Sequence, residues 1–200
     1  MTRFVDRGAV FAGWVGLGMA LVIVIAFGLI IPVQTVVFVA APLAGVVIGV
    51  YANVRSERWR PRGKVLLNAI YAGLVTGLGL AILYVIIRLV FIYGDTGALP
   101  NGTRINCHSG PECIYLRYVN VGQQAELASF GITDPASLES ALWRELMVTG
   151  TGLALLTLGG AVIGGAARTF GKMPTSVPLP TTTPRASTPS SSTPSSSTPG

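Results

Sequence analysis

The chain has 200 residues, 50% of them hydrophobic and only 11% charged, with a mean hydropathy of +0.62. Those values exclude an ordinary soluble globular domain and point to a membrane protein. A formal net charge of +6 would suit nucleic acid, but its distribution gives a different reason for the basic balance. Arg3, Arg7, Arg55, Arg58, Arg60, Arg62, Lys64, Arg168, Lys172 and Arg185 lie on one side of the apolar runs against Asp6 and Glu57, a net of +8. On the other side Arg104, Arg117 and Arg144 meet Asp95, Glu112, Glu126, Asp134, Glu139 and Glu145, a net of -3, and Arg88 inside a run supplies the last +1. This is the positive-inside pattern of a membrane protein, and no nucleic-acid partner is needed to explain it.

Residues 1–8 read as a short cytoplasmic N-terminus, and 9–31 form an uncharged first span. At roughly 1.5 Å per residue such a run crosses the ~30 Å hydrocarbon layer. It is too long for a signal-peptide core of about 7 to 15 residues, and no small-x-small cleavage site follows promptly. Pro32 makes a tight outer turn, because it cannot continue the helical ladder. The second span covers 35–53, where Pro42 is expected to kink the helix. Residues 54–64 are a basic loop in which Arg55, Arg58, Arg60, Arg62 and Lys64 oppose only Glu57. A short loop this rich in Lys and Arg stays cytoplasmic, so these five residues determine the topology.

The third span, 65–93, is long enough to tilt or project. Tyr84, Phe91 and Tyr93 supply aromatics for the outer interface, and Tyr51, Trp59 and Tyr71 for the inner one. Arg88 lies close enough to the outer end to snorkel, the reading preferred here over a buried functional charge. Residues 94–145 are the extracytoplasmic loop region. Ile114 to Val121 is rich in β-prone residues and is read as a short strand, and Gln123 to Phe130 as a short helix. Asp134 followed by Pro135 is a helix start, with Leu138, Leu142 and Leu146 at helical spacing and Trp143 at the interface. That helix runs into a fourth span at 146–167. Residues 168–200 are a cytoplasmic tail, Ser/Thr/Pro-rich from about 174 and expected to be disordered, because it buries nothing that offsets ordering entropy. Its hydroxyls suit phosphorylation better than mucin-like glycosylation in that compartment.

Small residues recur every fourth position: Gly8, Ala12, Gly16 and Ala20; Ala41, Gly45 and Gly49; Ala69, Gly73, Gly77 and Ala81; Gly160 and Gly164. Such stripes let helix backbones approach, so Gly16, Gly45, Gly49, Gly73, Gly77, Gly160 and Gly164 are assigned to helix packing. They serve the bundle itself, a homo-oligomer or other membrane subunits. Leu43 to Gly49 resembles Leu158 to Gly164, and Gly16 to Leu21 echoes Val75 to Leu83 and Val148 to Leu156. A duplicated helical hairpin is one reading of these matches; the shared Gly, Ala, Leu and Val composition of all spans is the other.

Cys107, His108, Glu112 and Cys113 are the one local cluster with chemical potential. They offer zinc-ligand types, but the spacing matches no zinc pattern, and on an oxidising face two cysteines in a Gly-Pro loop form a disulfide. Asn101, Gly102 and Thr103 match a glycosylation sequon whose occupation is not expected in the bacterium that the composition suggests. No histidine dyad, intramembrane carboxylate, phosphate loop or metalloprotease motif is present, so no catalytic residue, metal or cofactor is assigned and the chain is not read as an enzyme. The expectation is an all-α membrane protein with four transmembrane helices and a small extracytoplasmic loop region, located in the cell membrane with both termini cytoplasmic. Its expected role is a non-catalytic scaffold or accessory subunit; the alternative is a small transporter or channel built from a duplicated hairpin. Beyond the lipid bilayer, the seams leave room for other subunits or a second copy as partners.

Overall fold

A computed structural model describes residues 5–26, 34–54, 61–99 and 102–170. The outer turn at Pro32, the loop residues Arg55, Arg58 and Arg60, the sequon residue Asn101 and the tail from 171 lie outside the described residues. The order is α1 (Arg7–Val24), α2 (Gln34–Val54), α3 (Arg62–Tyr93), α4 (Pro111–Asn120), α5 (Gln124–Ser129) and α6 (Pro135–Phe170). Among the described residues the fold is all-helical, and α1, α2, α3 and α6 are each long and apolar enough to cross a membrane.

Several boundaries move. The first helix begins at Arg7 and widens into a π turn at Ile25 and Ala26. Helix α3 starts at Arg62 because Pro61, extended at φ -61° and ψ 141°, occupies its N-cap; Arg62 and Lys64 are therefore first-turn helical residues and not part of the loop. The helix predicted from Asp134 is continuous with the fourth span and ends at Phe170, so the last residues assigned to the outer loop belong to α6. Pro42 is accommodated within an uninterrupted α2.

The segment read as a strand, Ile114 to Val121, is mostly helix α4. Gly110, at φ 75°, turns the chain, and Pro111 follows at the first helical position, where its missing N–H costs nothing. Tyr115 and Val119, four apart, then reach one apolar cluster with Leu127 and Leu138. Packing against α6 outweighs the β propensity of the individual side chains.

Helix directions follow from which residues meet. Along α1 and α3, Asn68 bonds Asp6, Val75 meets Gly13 and Gly79 meets Leu17, so both chains advance together and the helices are parallel. Gly45 meets Thr157 and Gly49 meets Ala161, which makes α2 and α6 parallel as well. Between α3 and α6 the order reverses, since Ala69 meets Gly165, Gly77 meets Ala154 and Val85 meets Gly150. Consecutive long helices therefore alternate in direction.

The α2–α6 contact is made by backbone. A side chain at Gly45 or Gly49 would strike the carbonyl of Thr157 or Ala161, and one at Gly160 or Gly164 would strike that of Pro42 or Val46. Glycine Cα hydrogens thus face carbonyl oxygens on both sides, a weak attraction that recurs where helices touch. The contact is also reciprocal. Matching Leu43–Gly49 with Leu158–Gly164 pairs Pro42 with Thr157 and Val46 with Ala161, so Gly45 on Thr157 mirrors Gly160 on Pro42, and Gly49 on Ala161 mirrors Gly164 on Val46. The relation stops at this pair: Gly77 meets Ala154, but Val39, the counterpart of Ala154, is 58% exposed.

Thr76 and Thr157 donate to the carbonyls of Ala72 and Leu153 in their own helices, both at 2.8 Å. A hydroxyl four residues on from a carbonyl reaches it without leaving its helix, so burial demands no partner across the seam. Asn68 does bond across, donating to Asp6 Oδ2 at 2.9 Å.

Replacing Gly77 by Leu, whose added Cβ would start 2.9 Å from the Ala154 carbonyl oxygen, or Gly160 by Leu, is expected to destabilise the bundle by at least the ~1–3 kcal/mol of ordinary overpacking. Gly159→Leu, with nothing within 4 Å of its added Cβ, should stay within about 0.5 kcal/mol of wild type. Thermal unfolding in mild detergent measures all three, and equal melting temperatures for G160L and wild type would dismiss the seam.

Candidate functional site

The densest polar organisation lies where the chain leaves α3 and returns as α6. Gly94 closes α3 by donating to the Val90 carbonyl at 2.8 Å. Asp95 then organises the turn: its Oδ1 accepts the Gly97 N–H at 2.8 Å and Arg117 Nη2 at 2.7 Å, and its own carbonyl accepts Gly110 N–H at 2.9 Å. With only 13% of its side chain exposed, Asp95 ties the start of the loop to helix α4 through its carboxylate and to the loop's end through its carbonyl. Between those ends a small antiparallel bridge joins Ala98 to Arg104, closed by Ile105 N–H on the Gly97 carbonyl at 3.0 Å.

Cys107 and Cys113 come together at disulfide distance, their Cα atoms 5.4 Å apart. Cys113 is fully buried in the first turn of α4, and a Cβ on Gly97 would lie 2.6 Å from Cys107 Sγ, so the sulfur pair packs against the turn that Asp95 holds. With both sulfurs joined, neither is a thiolate that could bind zinc. His108 is 97% exposed on its side chain and approaches only Glu112, at 3.6 Å. Among the described residues no group of three or more His, Cys, Asp or Glu is placed to hold a metal.

Helices α4 and α5 form a cap on α6 through Tyr115, Leu127 and Leu138, and Tyr115 donates its hydroxyl to the Thr133 carbonyl at 2.6 Å. The start of α6 is a reciprocal cap. Asp134 Oδ1 accepts the Ser137 N–H at 2.6 Å, while Ser137 Oγ accepts the N–H groups of Thr133 and Asp134. Because the bond from the Ser137 N–H favours the ionised form, the Asp134 carboxyl is held below its ordinary value. Below the cap, Tyr93 donates to Glu139 at 2.6 Å and accepts from Trp143 at 3.2 Å, and Arg88 Nη2 lies 3.5 Å from Glu145 Oε1. These pairs stitch α3 to α6.

Gly16 sits against the Thr76 side chain and Gly73 against Ala161, while Gly45, Gly49, Gly77, Gly160 and Gly164 face backbone of a neighbouring helix. All seven therefore lie at contacts within the bundle. Arg62 and Lys64 are exposed at the start of α3. The sequence reasoning missed Asp95 with Arg117, Tyr93 with Glu139 and Trp143, and Arg88 with Glu145. Only the last had a signal, in Arg88 as the charge within a span. No family model, curated protein or solved structure matches the chain.

Two outcomes follow. Cys107→Ser with Cys113→Ser should loosen the cap by on the order of 2 to 3 kcal/mol at most, as suits a short loop, and leave the bundle folded; faster hydrogen exchange confined to the cap is the expected result. The contribution of Asp134 should be fully present above the ordinary carboxyl value of 3.8 and vanish only as pH falls through the depressed one. Exchange at the first turn of α6 should therefore rise in acid in wild type and be raised already at neutral pH in Asp134→Ala.

Proposed function

We propose that this chain is an integral, multi-pass protein of the bacterial cell membrane, with four crossings and both termini in the cytoplasm. It acts there as a non-catalytic scaffold or accessory subunit. The observation that carries the reading is the combination of a bundle closed by backbone contacts with a cap held stiffly above it. Gly45, Gly49, Gly160 and Gly164 bring α2 and α6 together with no space for a side chain between them, and the buried hydroxyls of Thr76 and Thr157 are occupied within their own helices. The cap is fixed by Asp95, Arg117 and the cysteine pair, yet it presents Tyr118, Val121 and Phe130 outward, at 42%, 62% and 72% exposure. A rigid platform displaying exposed apolar side chains suits contact with other proteins.

The charge asymmetry supports the orientation, the basic end being cytoplasmic and the cap external, where an oxidising environment keeps the cysteines joined. The reciprocal α2–α6 contact supports a duplicated hairpin, because the two seven-residue stretches that match in sequence also meet about a local two-fold. That duplication is also what favours the alternative, a small transporter or channel with parallel repeats.

A cysteine at Val121 should react from outside intact cells with a membrane-impermeant maleimide, in a background where Cys107 and Cys113 stay joined, and one at Ser190 only after permeabilisation. The reverse pattern would invert the topology. Purification in mild detergent should bring down one larger membrane complex reproducibly. Solute flux through the purified protein in liposomes, above empty vesicles, would instead establish the transporter.

A further inference from the structure

Arg88 has more donors than the protein satisfies. A guanidinium offers five N–H groups. Of these, Nη2 reaches Glu145 at 3.5 Å, Nε is buried without an acceptor, and among the described residues Nη1 bonds nothing while not being sealed off. Arg117 shares the unpartnered buried Nε, and the difference lies in the ion pair: its Nη2 meets Asp95 at 2.7 Å, within the usual range for a charge-assisted bond. Glu145 is 51% exposed on its side chain and Arg88 35%, so the pair is open on one side.

The position defines what lies on that side. Arg88 precedes Tyr93 by about 7 to 8 Å of helix at ~1.5 Å per residue. Tyr93 and Trp143, bonded to each other at 3.2 Å, are aromatics of the kind that sit at headgroup level. On the membrane reading proposed above, on which this inference rests, the open side of Arg88 faces the boundary between headgroups and acyl chains. A guanidinium there seeks an anionic acceptor with two oxygens, and a phosphodiester provides them in matching geometry. On α6 the residue three on from Glu145, which shares its helix face, is Val148, 68% exposed, and an acyl chain can lie against it.

We propose that Arg88 binds the phosphodiester of an outer-leaflet phospholipid at the α3–α6 seam. Glu145 draws on the guanidinium from the other side and competes weakly with the lipid for it.

The test compares full-length wild type with Arg88→Gln and Glu145→Gln, each extracted in mild detergent and examined by native mass spectrometry for retained phosphatidylglycerol. Arg88→Gln should retain lipid about tenfold less well, as expected for one charged hydrogen bond, and Arg88→Lys should recover part of the loss. Glu145→Gln should retain as much as wild type or more. Phosphatidylglycerol should raise the melting temperature of wild type but not of Arg88→Gln, and inorganic phosphate should raise neither. Equal retention by wild type and Arg88→Gln would overturn the site. Equal loss in both Gln variants would overturn it too, by making the ion pair and not the lipid the partner of Arg88. A wild-type chain stripped from membranes by alkaline carbonate would instead overturn the membrane reading beneath it, a result the lipid measurement cannot mimic.

Discussion

Four glycines let two helix backbones touch, and the arrangement of the other elements follows from that contact. In hydrocarbon, lipid competes for apolar surface as well as another helix does, so burial of Leu or Val gives little reason to associate. Close approach gives more, because dispersion and Cα–H···O contacts grow as backbones near each other. Gly45, Gly49, Gly160 and Gly164 supply that approach on both partners of the α2–α6 pair. Leu43, Val47 and Ile163, from the same stretches, are 53% to 64% exposed. At this seam glycines point inward and these large side chains outward, although Ile48 and Leu153 are buried; small residues at the contact suit the proposed lipid environment.

The polar groups within this frame are satisfied by different routes according to their reach. Short hydroxyls, Thr76 and Thr157, stay within their own helix. The amide of Asn68 is long enough to cross to Asp6 and joins α3 to the start of α1, whereas Asn53 spends its amide nitrogen on the Gly49 carbonyl and leaves its oxygen without a partner among the described residues. The longest side chains divide by environment. Arg117 finds a mostly buried carboxylate in Asp95 and makes a short bond, and Arg88 finds a half-exposed one in Glu145 and makes a long one. The first pair organises a loop, and the second leaves the guanidinium with capacity to spare.

Much of this was legible before the structure because it is local. Hydropathy over a span depends only on consecutive residues, and the Asp134–Pro135 start of α6 is decided within one turn. The stripes marked which glycines lie at contacts, but a stripe carries no label for its partner, so the meeting of α2 with α6 in parallel could not be read from it. Ile114 to Val121 misled because β propensity describes how a side chain fits a half-buried pleated surface, whereas here one helical face, through Tyr115 and Val119, packs in the cluster with Leu138 of α6 and leaves Tyr118 and Val121 exposed. Arg62 and Lys64 were assigned to the loop from their charge, while Pro61 settled where the helix begins. Asp95 and Arg117 are 22 positions apart, with a turn, a bridge and a disulfide between them, and no periodicity reports such a pairing.

Helix α6 gives the cap and the bundle their mechanical unity. Along one uninterrupted helix it carries Leu138 in the cap cluster, Glu139 and Trp143 against Tyr93, Glu145 against Arg88, and Gly160 and Gly164 in the seam. The seam interlocks glycines with carbonyls, so α6 cannot slide by less than a turn without driving backbone into backbone. Helix α1 stands apart from this rod, being held by α3 and α2 and showing much of its apolar face, with Trp14 at 69% and Val22 at 66% exposure. Of the four long helices it is the one whose displacement would disturb the fewest backbone contacts, and it is opposed by the Asp6–Asn68 bonds at its N-cap together with the packing of Ala9 and Ala12 against Ile48 and Ala72.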